Sequence, residues 1–95
     1  MRDGNFEWDD TKAASNLAKH GITFDMARDV FDDPFLFEWV DSLQSVEEIR
    51  YAALGMVEHR LLFVAYAMRG ETIRIISARR ATAFERRRYH DENET

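Results

Sequence analysis

The sequence predicts an α+β fold in which two N-terminal helices pack on a small antiparallel sheet of about four strands, followed by a C-terminal helix. Helical periodicity is found towards the two ends of the chain, over residues 11–31 and 81–91, whereas the middle consists of short apolar runs typical of strands. The connections between those runs are short, which favours an antiparallel meander. Because the chain has 95 residues, 45% of them apolar, we expect residues 1–95 to form one domain around one core.

The N-terminal segment predicts a short edge strand and then a helix. Residues 5–8 alternate polar and apolar side chains, as a half-buried strand does. Asp9 or Asp10 can cap a helix over residues 11–20, because a carboxylate accepts a hydrogen bond from an N–H that the first turn leaves unpaired. Gly21 stands where a left-handed C-terminal cap belongs. One face of this helix is apolar (Ala13, Ala14, Leu17 and Ala18) and the other is polar (Lys12, Asn16, Lys19 and His20).

A second helix and a series of strands follow. Thr23 is expected to cap the helix, which buries a stripe of apolar residues over 24–31 and ends at residues 32–34, Asp-Asp-Pro. Runs rich in aromatic and β-branched residues then predict strands, and residues 41–48 are expected to be a polar connection. The predicted strands cover residues 35–40, 49–57, 61–68 and 72–78.

Positive charge is concentrated towards the end of the chain. Residues 69–88 hold seven arginines against two glutamates, a local charge of +5, while the remaining residues sum to −10 and the net charge is −5. Guanidinium groups bind phosphate or carboxylate through planar, bidentate contacts. The segment therefore predicts an anion-binding surface on a protein that is acidic as a whole.

Arg74 is the candidate inside the last predicted strand. Alternation of side chains would place it on the same side as Ile76 and Ala78. An arginine within an apolar strand is costly to bury unless it is paired or lines a cleft. We therefore interpret Arg74 as a cleft residue, with a structural salt bridge as the alternative.

Arg79 and Arg80 are expected in the turn before the C-terminal helix, whose free N–H groups also attract anions. The alternative for these arginines is a set of structural salt bridges, for instance between Arg79 and Glu85. Residues 86–88 are three further arginines, but consecutive helical residues lie ~100° apart and cannot all face one site. We interpret them mainly as a solvated helix surface.

The polar face of the first helix supplies the candidates for proton transfer. It carries Lys12, Lys19 and His20, and imidazole exchanges protons near neutral pH without any perturbation. The same stripe is also what the solvated side of an amphipathic helix looks like. If the helix lies beside the sheet edge that carries Arg74, the two groups of residues face one cleft.

Several function classes have little support. The chain has no cysteine, which excludes disulfides and thiolate chemistry, and its three histidines are isolated, so neither a metal nor a cofactor is expected. No apolar run approaches the ~20 residues needed to cross a bilayer, and the first residues do not resemble a signal peptide. We therefore expect a cytoplasmic protein without membrane contact.

Three segments resemble the BrnT family of bacterial toxins: FEWDDTKAASNLAKHGITF at residues 6–24, EEIRYAALG at 47–55 and IRIISARRATAFERRRYH at 73–90. The resemblance implies a RelE-like fold and RNA cleavage within a type II toxin-antitoxin module, which inhibits translation and growth. It also implies a BrnA-like antitoxin that neutralises the toxin in a hetero-oligomer. That antitoxin would carry a ribbon-helix-helix segment, so contact with DNA would be indirect.

The resemblance also implies which residues belong to the site. The matching motifs carry over Lys19, His20, Arg50, Arg74, Arg79 and Tyr89. The expected reaction is metal-independent attack of a ribose 2′-hydroxyl on the adjacent phosphate. We expect Arg74 and Arg79 to stabilise the added negative charge and His20 to transfer protons, with Tyr89 or Lys19 as the alternative proton carrier. Arg50, Arg80 and Lys12 are expected to hold the RNA backbone.

Two other function classes fit the same arginines. One is a nucleic-acid-binding domain without catalysis, in which the arginines grip phosphate. The other is a protein-interaction domain, in which they form salt bridges with an acidic partner.

Overall fold

A computed structural model describes residues 5–45 and 48–94 of the chain, with the side chains of residues 44 and 45 left out. Eight helices and strands are found in the described residues. In chain order they are β1 (Phe6–Glu7), α1 (Asp10–His20), α2 (Phe24–Asp29), β2 (Phe37–Ser45), β3 (Glu48–Val57), β4 (Arg60–Arg69), β5 (Thr72–Arg80) and α3 (Ala83–Asn93). A 3₁₀ turn, Val30–Asp32, continues α2.

The described strands form one mixed sheet with the order β1-β5-β4-β3-β2. β1 pairs in parallel with β5, whereas the other neighbours are antiparallel. The predictions of three helices on a small sheet and of a short edge strand near the N-terminus are confirmed. The prediction of an antiparallel sheet of about four strands was wrong, because β1 joins the sheet as a fifth strand and pairs in parallel with β5. β2 also begins later and extends further than predicted, since two register shifts let residues 41–45 remain in the ladder.

The predicted helix caps are confirmed. The Asp9 side chain accepts a hydrogen bond from the backbone N–H of Lys12 at 3.0 Å, and Gly21 adopts the left-handed conformation with φ 71°. The Thr23 hydroxyl accepts from the backbone N–H of Met26 at 3.1 Å. Local side-chain chemistry therefore determines where α1 begins and ends and where α2 begins.

The last strand differs from its prediction in two ways. β5 continues through Arg79 and Arg80, which are paired with residues of β4 instead of lying in a turn. A register shift at Ile76 also inserts one extra residue, so that Ile75 and Ala78 both face the main core. The expectation that Arg74, Ile76 and Ala78 share one side was therefore wrong, because a bulge reverses the alternation of the residues that follow it.

The two faces of the sheet have different surroundings. α1, α2 and the 3₁₀ turn pack on one face, here called the covered face, over a core that includes Ile22, Phe24, Val30, Leu62, Val64 and Ile75. The opposite face, here called the open face, has only α3 over one end among the described residues, where Leu54, Leu61 and Tyr89 are buried. No helix in the described ranges is long and apolar enough to span a bilayer.

Gly55 permits the close approach of the 3₁₀ turn to β3. A Cβ atom at this position would lie 2.6 Å from the Val30 Cγ1 atom and 2.7 Å from the Val30 carbonyl oxygen. Both distances are shorter than real carbon contacts allow, and the second involves backbone that cannot rotate away. The glycine of the predicted β3 segment is therefore a packing requirement of the covered face.

Candidate active site

The open face places Arg50 and Arg74 on either side of a floor of small residues. Arg74 on β5 is paired with Ala67 on β4. Tyr51 on β3 is paired with Tyr66 on β4, so Arg50, one residue earlier, lies beside Ala67, one residue later. Arg50 and Arg74 are therefore on opposite sides of Ala67. Because strands lie ~4.8 Å apart, the two arginine Cα atoms are about 10 Å apart across the sheet. The floor consists of Ala52, Ala65 and Ala67.

Arg74 combines a carboxylate partner with partial exposure. Its Nη1 donates to Oε2 of Glu7 at 2.9 Å, and its side chain is 26% exposed. Arg69 approaches the same carboxylate oxygen, with a distance of 3.7 Å from its Nε. Exposed ion pairs of this kind contribute at most about 1 kcal/mol, so an incoming phosphate can compete for the guanidinium. Glu7 therefore orients Arg74 over the open face without enclosing it.

Arg50 is held less tightly. Its Nε lies 3.3 Å from Oε1 of Glu48, and about one third of its side chain is exposed. The two charges are close, but the contact is not a hydrogen bond. The buried Nε of Arg50 has no hydrogen-bond partner among the described residues. A buried donor without a partner is unfavourable by about 1–3 kcal/mol. An anion bound beside Arg50 would relieve part of that cost if it let the guanidinium turn.

Arg79 also faces the open side, but its guanidinium has a structural role. Nη1 and Nη2 donate to the two carboxylate oxygens of Glu85 at 2.8 and 2.9 Å, and the group lies 4.1 Å from the centre of the Phe63 ring. The hydrogen bonds with Glu85 raise the pKa of Arg79, and the same bonds lower the pKa of Glu85. Glu85 in turn caps α3 together with Thr82. Arg79 thus joins β5 to α3, as the salt-bridge alternative predicted.

This pair gives a testable pH dependence. The folded protein lowers the pKa of Glu85 below its ordinary value of 4.5, so the carboxylate contributes stability above that pH and loses it as the pH falls through the folded pKa. Glu85→Gln is expected to lower the melting temperature at pH 7 and to flatten its decline below pH 4.5. Thermal melts between pH 3 and 7, with Glu92→Gln on the exposed side of α3 as the control, measure the difference. Equal slopes for wild type and Glu85→Gln would contradict the assignment.

Tyr89 belongs to the C-terminal half of α3 and lies away from Arg50 and Arg74. Its hydroxyl donates to Oδ2 of Asp33 at 2.5 Å, and the ring is buried. Burial and then the hydrogen bond to Asp33 raise the pKa of Tyr89. Burial of Asp33 tends to raise the pKa of that carboxyl, but hydrogen bonds from Tyr89 and from the N–H groups of Met56 and Phe35 outweigh it and lower the pKa. This placement differs from the expectation of a proton carrier, because the hydroxyl proton is already engaged.

α1 lies along the edge of β5 beyond the residues that β1 pairs with, as a shared cleft requires. The Asn16 carboxamide accepts from the Ala78 N–H at 3.0 Å and donates to the Ala78 carbonyl at 2.9 Å, in the manner of a neighbouring strand. It also donates to the Ile22 carbonyl at 2.9 Å. Asn16 was predicted on the polar face of α1, and the structure makes it the buried contact between the helix and the sheet edge.

A groove of about 180 Å³ separates the rest of α1 from β5. Lys12, Lys19 and His20 line its helix side, and Ser77 lines its strand side. Ser77 is paired with Ala65 and so also borders the alanine floor. The groove and the open face therefore meet at Ser77, a residue that no sequence pattern distinguishes from other strand residues.

The remaining arginines lie elsewhere. Arg80 is exposed and is paired with the core residue Leu62, which places it on the side of the covered face, apart from the alanine floor. Arg88 lies over the rings of Phe37 and Trp39, with distances of 5.1 and 5.3 Å to their centres. Arg88 therefore packs α3 against β2 instead of being a purely solvated residue.

Positively charged side chains border this site. In the ranges that the structure describes, no group of three or more His, Cys, Asp or Glu side chains is arranged to hold a metal ion. Two arginines and two lysines border the open face and the groove, and one imidazole lies among them. Such an arrangement can bind a phosphodiester and move a proton near it.

Comparison with known proteins agrees with the resemblance seen in the motifs. Residues 8–85 match the family model described as "Ribonuclease toxin, BrnT, of type II toxin-antitoxin system". That range includes β2 to β5, α1, α2 and the start of α3. A comparison with curated proteins finds no match. The chain therefore belongs to the BrnT family of ribonuclease toxins of type II toxin-antitoxin systems.

Proposed function

We propose that the protein is a metal-independent endoribonuclease that cleaves RNA on the open face, at the point where the alanine floor meets the α1 groove. The observation that carries this proposal is the position of Arg50 and Arg74 on either side of Ala67, next to Ser77. A phosphodiester seated on the floor would have a guanidinium on each side. The alanines leave room for it, because their side chains end at Cβ.

The proposed reaction uses the substrate's own nucleophile. The ribose 2′-oxygen attacks the adjacent phosphorus while a general base takes the 2′-hydroxyl proton. The bond from phosphorus to the 5′-oxygen breaks, and a general acid protonates that oxygen. The products are a 2′,3′-cyclic phosphate and a 5′-hydroxyl. The protein must align the in-line attack and stabilise the negative charge that develops on the phosphoryl oxygens.

The residues are assigned to these tasks by position. Arg74 stabilises the developing charge, and Arg50 and Lys12 hold the flanking RNA backbone. His20 is proposed as the general acid or base, with Lys19 as the alternative, because both line the groove that opens at Ser77. Arg79 is proposed as a positioning residue, since its Nη atoms already hold Glu85.

Arg80 and Tyr89 change roles in this proposal. Arg80 is left out of the RNA contacts on the floor, because its pairing with Leu62 places it on the side of the covered face. Tyr89 is assigned to holding α3 in place through Asp33. Both assignments follow from the contacts described above and not from the motif match.

The family implies an antitoxin partner. We propose that this partner is BrnA-like, carries the ribbon-helix-helix segment that contacts DNA, and neutralises the toxin in a hetero-oligomer in the cytoplasm. Free toxin would then inhibit translation by cutting RNA. The acidic remainder of the chain is unsuited to nucleic acid, which restricts RNA to the arginine-bearing side.

Incubation of the purified protein with RNA in EDTA tests this function. We expect cleavage products that end in a 2′,3′-cyclic phosphate, and we expect His20→Gln to slow their formation about 100-fold. His90→Gln is the matched control, because His90 is exposed on α3 away from the groove. RNA binding without products would favour the non-catalytic binding domain. Products that vanish in EDTA would contradict metal independence.

A further inference from the structure

The covered face carries a second surface that the proposed site does not use. α1, α2 and the 3₁₀ turn do not cover the end of this face where β2 and β3 meet. Four apolar side chains are exposed there: Val40 by 56%, Leu43 by 72%, Ile49 by 39% and Met68 by 43%. We call these four residues the apolar ribbon. Side chains of this kind on this face are buried wherever a helix lies over them.

The register makes the ribbon continuous across three strands. Leu43 on β2 is paired with Ile49 on β3, and Val40 is paired with Tyr51, which packs against the main core. The pairing of Tyr51 with Tyr66 directs Ile49 towards Met68 on β4. From Leu43 to Met68 the ribbon spans two strand spacings, about 10 Å, which is close to the diameter of an α-helix. The ribbon therefore extends the apolar surface that α1 and α2 cover elsewhere on this face, but no helix of the described chain lies over it.

A partner could pair a strand with the outer edge of β2 or lay a helix on the covered face. The outer edge of β2 is poorly suited to an added strand. β2 is the last strand of the sheet in the described residues, so no described strand pairs with its outer edge. However, register shifts interrupt it between Val40 and Ser42 and again between Leu43 and Ser45. Bulges of this kind disturb the regular spacing that an added strand requires. The occupant that fits is an amphipathic helix lying across the ribbon.

One acidic group lies beside the ribbon on its own face. Glu38, whose carboxylate accepts from the Tyr66 hydroxyl, is two residues before Val40 on β2 and lies on the covered face. A second copy of the chain would bring the same carboxylate against this surface, and each copy carries a net charge of −5. Like charges at close range oppose that association. A partner with basic residues beside an apolar stripe is complementary.

We propose that the apolar ribbon binds a basic amphipathic helix of the antitoxin, which completes the helical layer of the covered face. The antitoxin itself is part of the proposed function, but this assignment concerns a different face from the RNA site. Neutralisation would then begin from a surface opposite the alanine floor. The partner helix is expected to place apolar residues against Leu43 and Ile49 and a Lys or Arg residue near Glu38.

Calorimetric titration of the full chain with the full-length protein encoded beside it tests the proposal. Leu43→Lys is expected to weaken binding at least 10-fold, because it removes apolar contact and opposes a basic partner. Leu43→Glu is expected to weaken binding less, since its charge suits that partner. Leu17→Lys is the matched control, because Leu17 is 48% exposed on α1 outside the ribbon.

The outcomes are distinct. Equal affinity of Leu43→Lys and Leu17→Lys would overturn the docking surface, as would the absence of binding to the wild type. Equal losses with Lys and Glu would overturn the basic character of the partner. A wild-type homodimer that Leu43→Lys dissociates would identify a second copy as the occupant and overturn the antitoxin assignment. RNA cleavage measured in parallel separates this test from the proposed function, because Leu43 lies on the other face and its variants should cleave normally.

Discussion

Arg74→Ala is expected to reduce the rate of RNA cleavage about 100- to 1,000-fold, the usual effect of removing a donor that stabilises developing negative charge. Arg74 is partly exposed, oriented by Glu7, and directed over the alanine floor, whereas Arg79 on the same face of β5 is held by Glu85. Single-turnover cleavage of a labelled RNA at saturating protein measures the effect on the chemical step. The cleavage rate of Arg74→Lys should fall between those of the wild type and Arg74→Ala, because an ammonium group keeps the positive charge but not the planar, bidentate geometry.

Two controls separate this effect from a loss of structure. Arg87→Ala removes an exposed arginine from α3 and should leave the rate within a factor of two or so of the wild type, as surface substitutions usually do. Arg74→Ala should melt close to the wild type, since its ion pair with Glu7 is partly exposed. Full activity in Arg74→Ala would remove this residue from the catalytic set.

Asn16→Ala is expected to destabilise the protein by about 3 kcal/mol or more. The substitution removes three hydrogen bonds and leaves the N–H and carbonyl of Ala78 unpaired at the edge of β5. Asn16 is buried, so water replaces those contacts only by opening the α1–β5 contact. For a domain of this size, the corresponding fall in Tm is roughly 10 to 25 °C.

Chemical denaturation gives the same comparison as a free energy of unfolding. Ser15→Ala is the matched control, because Ser15 neighbours Asn16 on α1 and is exposed. Its stability should equal that of the wild type to within about 0.5 kcal/mol. An Asn16→Ala protein as stable as Ser15→Ala would show that the side chain does not hold α1 to the sheet.

Local features of the fold were predictable from the sequence, because their causes lie within a few residues. Asp9, Gly21 and Thr23 act as caps through contacts with their own helix, and the helical spacing of apolar residues follows from the same turn. The parallel pairing of β1 with β5 was not predictable in this way, since it joins residues 6 and 73. A strand of two residues is too short for its sequence to indicate which strand it pairs with.

The site was predictable in composition but not in geometry. The bulge at Ile76 places Ala78 on the covered face and Arg79 on the open face. No residue in this segment is of a type that predicts a bulge. The pairing of Tyr89 with Asp33 is likewise long-range, because the Asp-Asp-Pro segment indicates only the end of a helix. By contrast, the cluster of arginines and the polar stripe of α1 were visible from charge and spacing alone. The structure then disperses those arginines, because Arg79 holds Glu85 and Arg80 lies on the covered side.

The most direct measurement uses an RNA in which one nucleotide, at the position that the protein cuts, lacks its 2′-hydroxyl. The mechanism predicts that this deoxy substitution abolishes cleavage at that bond in the presence of EDTA, while binding and cleavage at other positions continue. Cleavage of the substituted bond at the normal rate would mean that the nucleophile is not the ribose hydroxyl, and the reaction proposed for the open face would then be wrong.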